Sequence, residues 1–201
     1  YIGRVNYDFA GRYLVSMSYR ADGSSRFGPE NRWGYFPAVS LGWVISDENF
    51  FAPIGNALTF FKMRLSYGLV GNSEIGDYSY LSTYATSTYN ANTGLGLANV
   101  GDDKLGWETT SQLNVGISFE LFQGRISGEV DYYNKTTKDL LLPFPVSQMS
   151  GVSLVTKNAG TLTNKGYDMM LSSVNIDVNS FQWSTSVTLN YNENRVTSLG
   201  D

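Results

Sequence analysis

The sequence predicts an all-β protein, an antiparallel up-and-down meander whose strands suit the wall of a transmembrane β-barrel. Three observations predict it. The first is strict alternation. From Trp107 to Leu121 one side reads Trp107, Thr109, Ser111, Leu113, Val115, Ile117, Phe119, Leu121, and the other Glu108, Thr110, Gln112, Asn114, Gly116, Ser118, Glu120. A strand has period two, so this segment has one apolar and one polar side. The second is length. These segments run to roughly ten residues or more, which a tilted strand needs to cross a bilayer, whereas strands of soluble domains usually have about five or six. The third is that short and long connections alternate, as do periplasmic turns and extracellular loops.

The elements follow in order. The first strand is expected at residues 1–9, with Tyr1, Val5, Tyr7 and Phe9 on one side and Arg4, Asn6 and Asp8 on the other. Ala10-Gly11 turns into the second, residues 12–21, where Tyr13, Val15, Met17 and Tyr19 alternate with Leu14, Ser16, Ser18 and Arg20. A polar loop covers about residues 22–34, with charges and glycines that suit a fixed loop. The third strand, 35–46, has Val39, Leu41, Trp43 and Ile45 on its apolar side. Ser46-Asp47-Glu48 reads as a helix N-cap with acidic first-turn residues, so one short helical turn is expected before Pro53. In the fourth strand, 59–70, Phe61, Met63, Leu65, Tyr67 and Leu69 alternate with Lys62, Arg64, Ser66 and Gly68.

Residues 71–104, rich in Ser, Thr, Tyr, Asn and Gly, form the longest irregular stretch. The fifth strand is 105–122, and Gln123-Gly124 turns into the sixth, 125–136. A long connection, 137–164, contains the apolar run from Leu140 to Val146. The seventh strand, 165–176, sets Tyr167, Met169 and Leu171 against Asp168 and Ser172. After a turn at Asn179-Ser180, the eighth, 181–192, sets Trp183, Thr185, Val187, Leu189 and Tyr191 against Gln182, Ser184, Ser186, Thr188 and Asn190.

This schedule places the turns near Gly11, Asp47, Gly124 and Ser180 in the periplasm, and the loops after Ala21, Val70 and Thr136 outside the cell. Tyr7, Phe9, Tyr13 and Phe119 then belong to an inner aromatic girdle, and Tyr19, Trp107 and Tyr132 lie nearer the outer one. Two alternatives stay open. A soluble β-sandwich would pack the apolar sides on a second sheet. A complete eight-stranded barrel would fit the even strand number but leaves Tyr1 starting in mid-strand, as expected of a segment of a longer polypeptide.

Composition excludes several functions. No run of apolar residues is long enough for a membrane-spanning helix, which does not exclude a barrel. The net charge of −4 gives no basic surface for nucleic acid. Cysteine and histidine are both absent, which removes disulfides, thiolate sites and the commonest general base and metal ligand. The adjacent carboxylates Asp47-Glu48 and Asp102-Asp103 point oppositely if extended and fix no glycosidase geometry, so no enzyme is expected. Asp102-Asp103 could bind Ca²⁺ with loop carbonyls, but too few oxygen ligands are evident, and no cofactor or metal is assigned.

The loops carry a further pattern. RADGSSRFG begins at Arg20, NRWGYFP at Asn31, SYGLVGN at Ser66, GWE at Gly106, LNVG at Leu113, NAGTLTNKG at Asn158 and NENRVTSL at Asn192. In this order they resemble the barrel region of the SusC/RagA family of TonB-dependent transporters, over essentially the whole chain. The resemblance implies part of a barrel of about 22 strands in the bacterial outer membrane, carrying about eight of them. It implies import of oligosaccharides or peptides in Bacteroidetes-type cells, a SusD-type surface lipoprotein as lid, and energy from TonB–ExbB–ExbD. The plug domain and TonB box are expected outside this chain, so the segment alone should transport nothing.

Candidate residues fall into two groups. Arg4, Asp8, Arg20, Lys62, Arg64, Glu108, Glu120, Glu129, Asp131 and Asp168 are expected to face the lumen, because a charge in mid-bilayer costs about 2–4 kcal/mol. They read first as a hydrated salt-bridge lattice and second as a substrate path. Trp33, Tyr35, Tyr78, Tyr80, Tyr84 and Tyr89 are expected in the outer loops with Phe36, where flat rings suit a sugar, a peptide or the lid. Residues 71–104 are preferred over residues 22–34 for that role, because long loops inserted in a scaffold are usually functional or disordered.

Overall fold

The computed structural model describes residues 1–89, 92–147, 149 and 151–199. Its strands are β1 (Ile2–Phe9), β2 (Tyr13–Gly23), β3 (Trp33–Val44), β4 (Leu58–Asn72), β5 (Thr83–Tyr89), β6 (Asn92–Asn99), β7 (Glu108–Leu121), β8 (Ile126–Lys138), β9 (Leu141–Pro145), β10 (Leu154–Asn158), β11 (Thr161–Val178) and β12 (Phe181–Ser198). Two 3₁₀ turns, Ile45–Asp47 and Asn49–Ile54, join β3 to β4. Eight strands make one antiparallel sheet in the order β1-β2-β3-β4-β7-β8-β11-β12. The other four form two hairpins inside the long connections.

The sheet is the expected open meander. Among the described residues β1 pairs only with β2 and β12 only with β11, so the complete eight-stranded barrel is excluded. The sandwich fails because, among the described residues, no second sheet covers the apolar side. Val115 stays 37% exposed and Leu189 60% exposed, in the middle of long strands. Among the described residues no helix is long and apolar enough to cross a membrane, which says nothing of a barrel.

The register reveals how the apolar side would sit in a bilayer. Residues opposite one another share a side, and one continuous row reads Tyr7, Val15, Leu41, Leu65, Val115, Tyr132, Tyr167, Tyr191. It is aromatic at both ends and aliphatic in the middle. The row one pleat below begins Phe9, Tyr13, Trp43 and continues Met63, Ile117, Val130, Met169, Leu189. The row above begins Val5, Met17, Val39, Tyr67, Leu113 and turns polar at Asn134, Lys165, Glu193. Strand tilt explains the drift. Barrel strands lean by about 35–45°, so a row perpendicular to them climbs from one interface to the other. Seven steps of about 4.8 Å span about 34 Å, and a 45° lean turns that into about 24 Å of height, close to the apolar band of an outer-membrane barrel.

The short turns use left-handed backbone. Ala10 (φ 55°) and Gly11 (φ 68°) occupy the central positions of a tight turn, and the Asp8 carboxylate accepts the Gly11 N–H at 2.8 Å. Asn179 (φ 52°) serves the last hairpin, where asparagine tolerates that region better than most residues.

Several expectations need correction. The stretch 71–104 is not wholly irregular, because β5 and β6 form a hairpin within it. The apolar run after Leu140 is β9, paired with β10. Strands β11 and β12 extend well past their expected ends, since the backbone ladder continues above the apolar band through polar side chains. Ser46 is not a cap: Glu48 precedes the 3₁₀ turn Asn49–Ile54, with no side-chain cap bond, and Pro53 lies inside the turn. Trp107 does not join the outer girdle, because it precedes β7 and folds onto Phe27 and Phe36.

Candidate functional site

The register places Arg4, Asp8, Arg20, Lys62, Arg64, Glu108, Glu120, Glu129, Asp131 and Asp168 on one side of the sheet, opposite the apolar rows. They are spread along it rather than gathered. Asp8 holds its turn, and Arg20 pairs with Asp22 at 2.6 Å. Glu108 accepts the Leu141 N–H at 3.3 Å, and Asp168 accepts an N–H of Asn190 at 2.7 Å.

The densest group centres on Arg64. Its guanidinium grips both Asp131 oxygens at 3.0 Å and donates to Ser118 at 2.6 Å and Glu129 at 3.2 Å. Asp131 is two strands away, and Gly116 lies between them in the register. A Cβ on Gly116 would overlap the Asp131 carboxylate, so the missing side chain opens the path between the two. Nη2 donates to both Asp131 oxygens while Nη1 donates to Ser118 and Glu129, so both ends of the guanidinium are held. The group's three charged members stay about a third to a half exposed, so its contribution to stability is small, of order 1 kcal/mol.

The end of the sheet that carries the long connections holds a small core that alternation alone did not reveal. Phe27 is fully buried and Leu105 nearly so. Trp107 meets Phe27 at 5.4 Å and Phe36 at 5.3 Å between ring centroids, and its indole N–H donates to the Arg32 carbonyl at 3.3 Å. Asn158 ties in the third loop. Its amide N–H groups donate to the carbonyls of Gly106 and Asp139, each at 2.9 Å, and its oxygen accepts the Gly106 N–H at 2.7 Å. Gly34 is needed because a Cβ there would press on Phe36 and Trp107. The recurring loop motifs thus clamp three loops together. The signal was the repeated pairing of glycine with an aromatic or Asn residue; its spatial meaning needed the fold.

The six candidate aromatics are not brought together. Trp33 and Tyr35 lie in β3, not in a loop, and their positions alternate with Phe36 onto the apolar side. Trp33 stacks on Tyr1 at 5.9 Å and Tyr35 on Tyr19 at 6.2 Å, so both belong to the outer aromatic line. The expectation of a loop position is corrected for Trp33, because the β2–β3 ladder continues up to Gly23 and Trp33; Tyr35 and Phe36 lie in the third strand, within its expected range of residues 35–46. Tyr78 and Tyr84 are exposed in the long connection, at 65% and 67%. Tyr80 is half-buried near Gly28. Tyr89 ends β5, and its ring lies outside the described side chains. The Asp102 carboxylate accepts the Lys104 N–H at 3.0 Å, and among the described residues no three acidic groups gather into a metal site.

A wall with one lipid-compatible side, one charged side and clamped loops at one rim defines a segment of a large transmembrane β-barrel. The chain belongs to the TonB-dependent receptor family: residues 2–201 match the model of the TonB dependent receptor-like β-barrel. It is 42% identical to the TonB-dependent receptor P39 of Formosa agariphila over 199 residues, covering 98% of this chain and 19% of that protein. It is 36% identical to the TonB-dependent receptor SusC of Bacteroides thetaiotaomicron, covering 99% of this chain and 21% of SusC. Among solved structures it superposes on the RagAB peptide importer in its closed-closed state with a TM-score of 0.91 at 33% identity, covering 100% of this chain and 22% of the other. The chain therefore spans about one fifth of the length of these relatives.

Proposed function

We propose that this chain is part of the wall of a bacterial outer-membrane transporter that imports a nutrient oligomer, an oligosaccharide or a peptide, with energy from TonB–ExbB–ExbD. The observation that carries this reading is the match over the whole chain to the RagAB peptide importer. The relation to SusC supports a SusD-type lipoprotein as extracellular lid. The charged side lines a wet lumen and shapes the passage. Tyr78, Tyr80 and Tyr84 are the ring positions best placed to meet substrate or lid. Trp33 and Tyr35 are set aside for that role because they face the apolar side.

The test uses the full-length protein in its own cells. Loss of the gene should abolish growth on the cognate oligomer, and loss of TonB should do the same. A tagged transporter should co-purify a surface lipoprotein. Uptake that survives loss of TonB, or purification without any lipoprotein, would contradict the proposal.

A further inference from the structure

The connection between β3 and β4 does not hang below the wall. Phe51 is buried and stacks on Phe61 at 6.4 Å with the rings 9° apart. Phe61 lies opposite Phe119 on the apolar side. Phe50 meets Trp43 edge-on at 6.4 Å, and Trp43 shares its row with Tyr13 and Met63, also apolar-side residues. Glu48 faces the same way. Its carboxylate accepts the Tyr13 hydroxyl at 2.5 Å and the Trp43 indole N–H at 3.2 Å, while Arg12 lies 3.4 Å away. The segment therefore folds back against the membrane side of the wall, at the level of the lower aromatic line. What it presents outward is apolar: Phe50 is 66% exposed and Ile54 53% exposed.

We infer that Asn49–Ile54 is an interfacial foot, with Phe50 and Ile54 seated at the headgroup–acyl boundary of the phospholipid leaflet that faces the periplasm. Continuity with the lipid-facing rows identifies the occupant as lipid. The polar tips of Tyr13 and Trp43 end on one carboxylate while their ring bodies stay in the apolar rows, which is the arrangement that favours these residues at a membrane interface. Pro53 and the docked Phe51 hold the foot in one shape, so two more apolar side chains enter the boundary without ordering a flexible loop. The inference rests on the barrel reading, and the test separates the two.

The experiment places single cysteines in the full-length transporter, freed of any others, by Phe50→Cys, Ile54→Cys, Val115→Cys and Gln123→Cys. Each is labelled with a nitroxide in phospholipid vesicles and its accessibility to oxygen and to a water-soluble nickel chelate is measured. Positions 50 and 54 should show an oxygen-to-nickel ratio several-fold above position 123 and below position 115. Ratios at 50 and 54 equal to that at 123 would overturn the foot while leaving the wall intact. A nickel-accessible label at 115 would overturn the facing of the wall itself, and the foot with it.

Discussion

Replacing Phe27 with alanine should loosen the loop clamp without unfolding the barrel. Phe27 has 0% of its surface exposed and packs against Trp107, beside Leu105, which is 1% exposed. Removing a buried phenyl ring costs about 3–5 kcal/mol, the sum of lost transfer energy and the cavity left behind. The cost falls on a local unit, because Phe27, Leu105 and Trp107 lie in loops outside the sheet ladder, and such units open on their own. Each 1.4 kcal/mol is about tenfold in an equilibrium, so the opened population rises by roughly two to four orders of magnitude. Where reclosing outruns cleavage, proteolysis follows that population. The assay is limited proteolysis of the folded full-length protein, with cleavage sites mapped by mass spectrometry and barrel folding followed by heat-dependent gel mobility. Cleavage should accelerate within residues 23–32 and 100–107, with the mobility shift unchanged. Phe50→Ala, at an exposed site, should leave that cleavage rate unchanged. A Phe27→Ala protein that resists protease as the parent does would refute the clamp.

Arg64→Ala should lower stability to urea by about 1 kcal/mol, and Arg64→Lys should recover only part of it, since one ammonium cannot serve Asp131 from one nitrogen and Ser118 and Glu129 from another; equal behaviour of Lys and Arg would show the two-ended grip to be unimportant. Deleting Thr83–Asn99, the β5–β6 hairpin, should leave the barrel folded but weaken uptake or lid association; normal growth with normal lipoprotein co-purification would remove that hairpin from the functional surface. The bonds from Tyr13 and Trp43, with the nearby Arg12, hold the Glu48 carboxyl below its ordinary range. A lowered carboxyl pKa stabilises the fold fully above the ordinary glutamate value and loses that contribution as pH falls through the lowered one. Protection of the Ile45–Asp47 amides, taken as their exchange relative to the unfolded chain at the same pH, should therefore fall in acid, and Glu48→Gln should abolish that dependence; an unchanged acid response in the variant would assign it to another group.

The strands were legible because one of their sides is apolar and the other is not. Val115 against Asn114, or Leu189 against Asn190, states the period and the side at once. The tight turns were legible in Gly11, Gly124 and Asn179, residue types that adopt positive φ at least cost, although Ala10 and Gln123 adopt it beside them. The hairpins were not legible, for different reasons. In β5, Thr or Ser occurs on both sides, and in β6 Leu95 and Leu97 alternate with glycine rather than with polar residues, so alternation carries no apolar–polar contrast. In β9, Pro143 and Pro145 argue against a ladder, yet a two-stranded edge tolerates them. The ends of β11 and β12 were missed because past the apolar rows the alternation is lost, and a position on that side can be Glu193, here paired with Lys165 at 3.3 Å. Trp33 and Trp107 were misplaced for a shared reason. Near a strand end, an aromatic residue can continue the ladder or fold into a loop core, and local sequence does not distinguish the two. The ten charges were assigned to one side by parity alone, but the partners of Arg64 depend on which strands become neighbours.

The most direct test of the account compares two arginines on one strand. Val115 sits on the apolar side in the aliphatic middle of its row, 37% exposed. Gln112 lies three residues away on the polar side, where its amide donates to Asn114 at 2.8 Å. The measurement is the folded yield in the outer membrane of the full-length protein carrying Val115→Arg or Gln112→Arg. The first places a charge in hydrocarbon at a cost of about 2–4 kcal/mol, and the second places it in a hydrated lumen. The account expects a marked loss of folded protein for Val115→Arg and near-parental yield for Gln112→Arg. Equal yields, or a greater loss for Gln112→Arg, would contradict the assignment of lipid and lumen on which everything else rests.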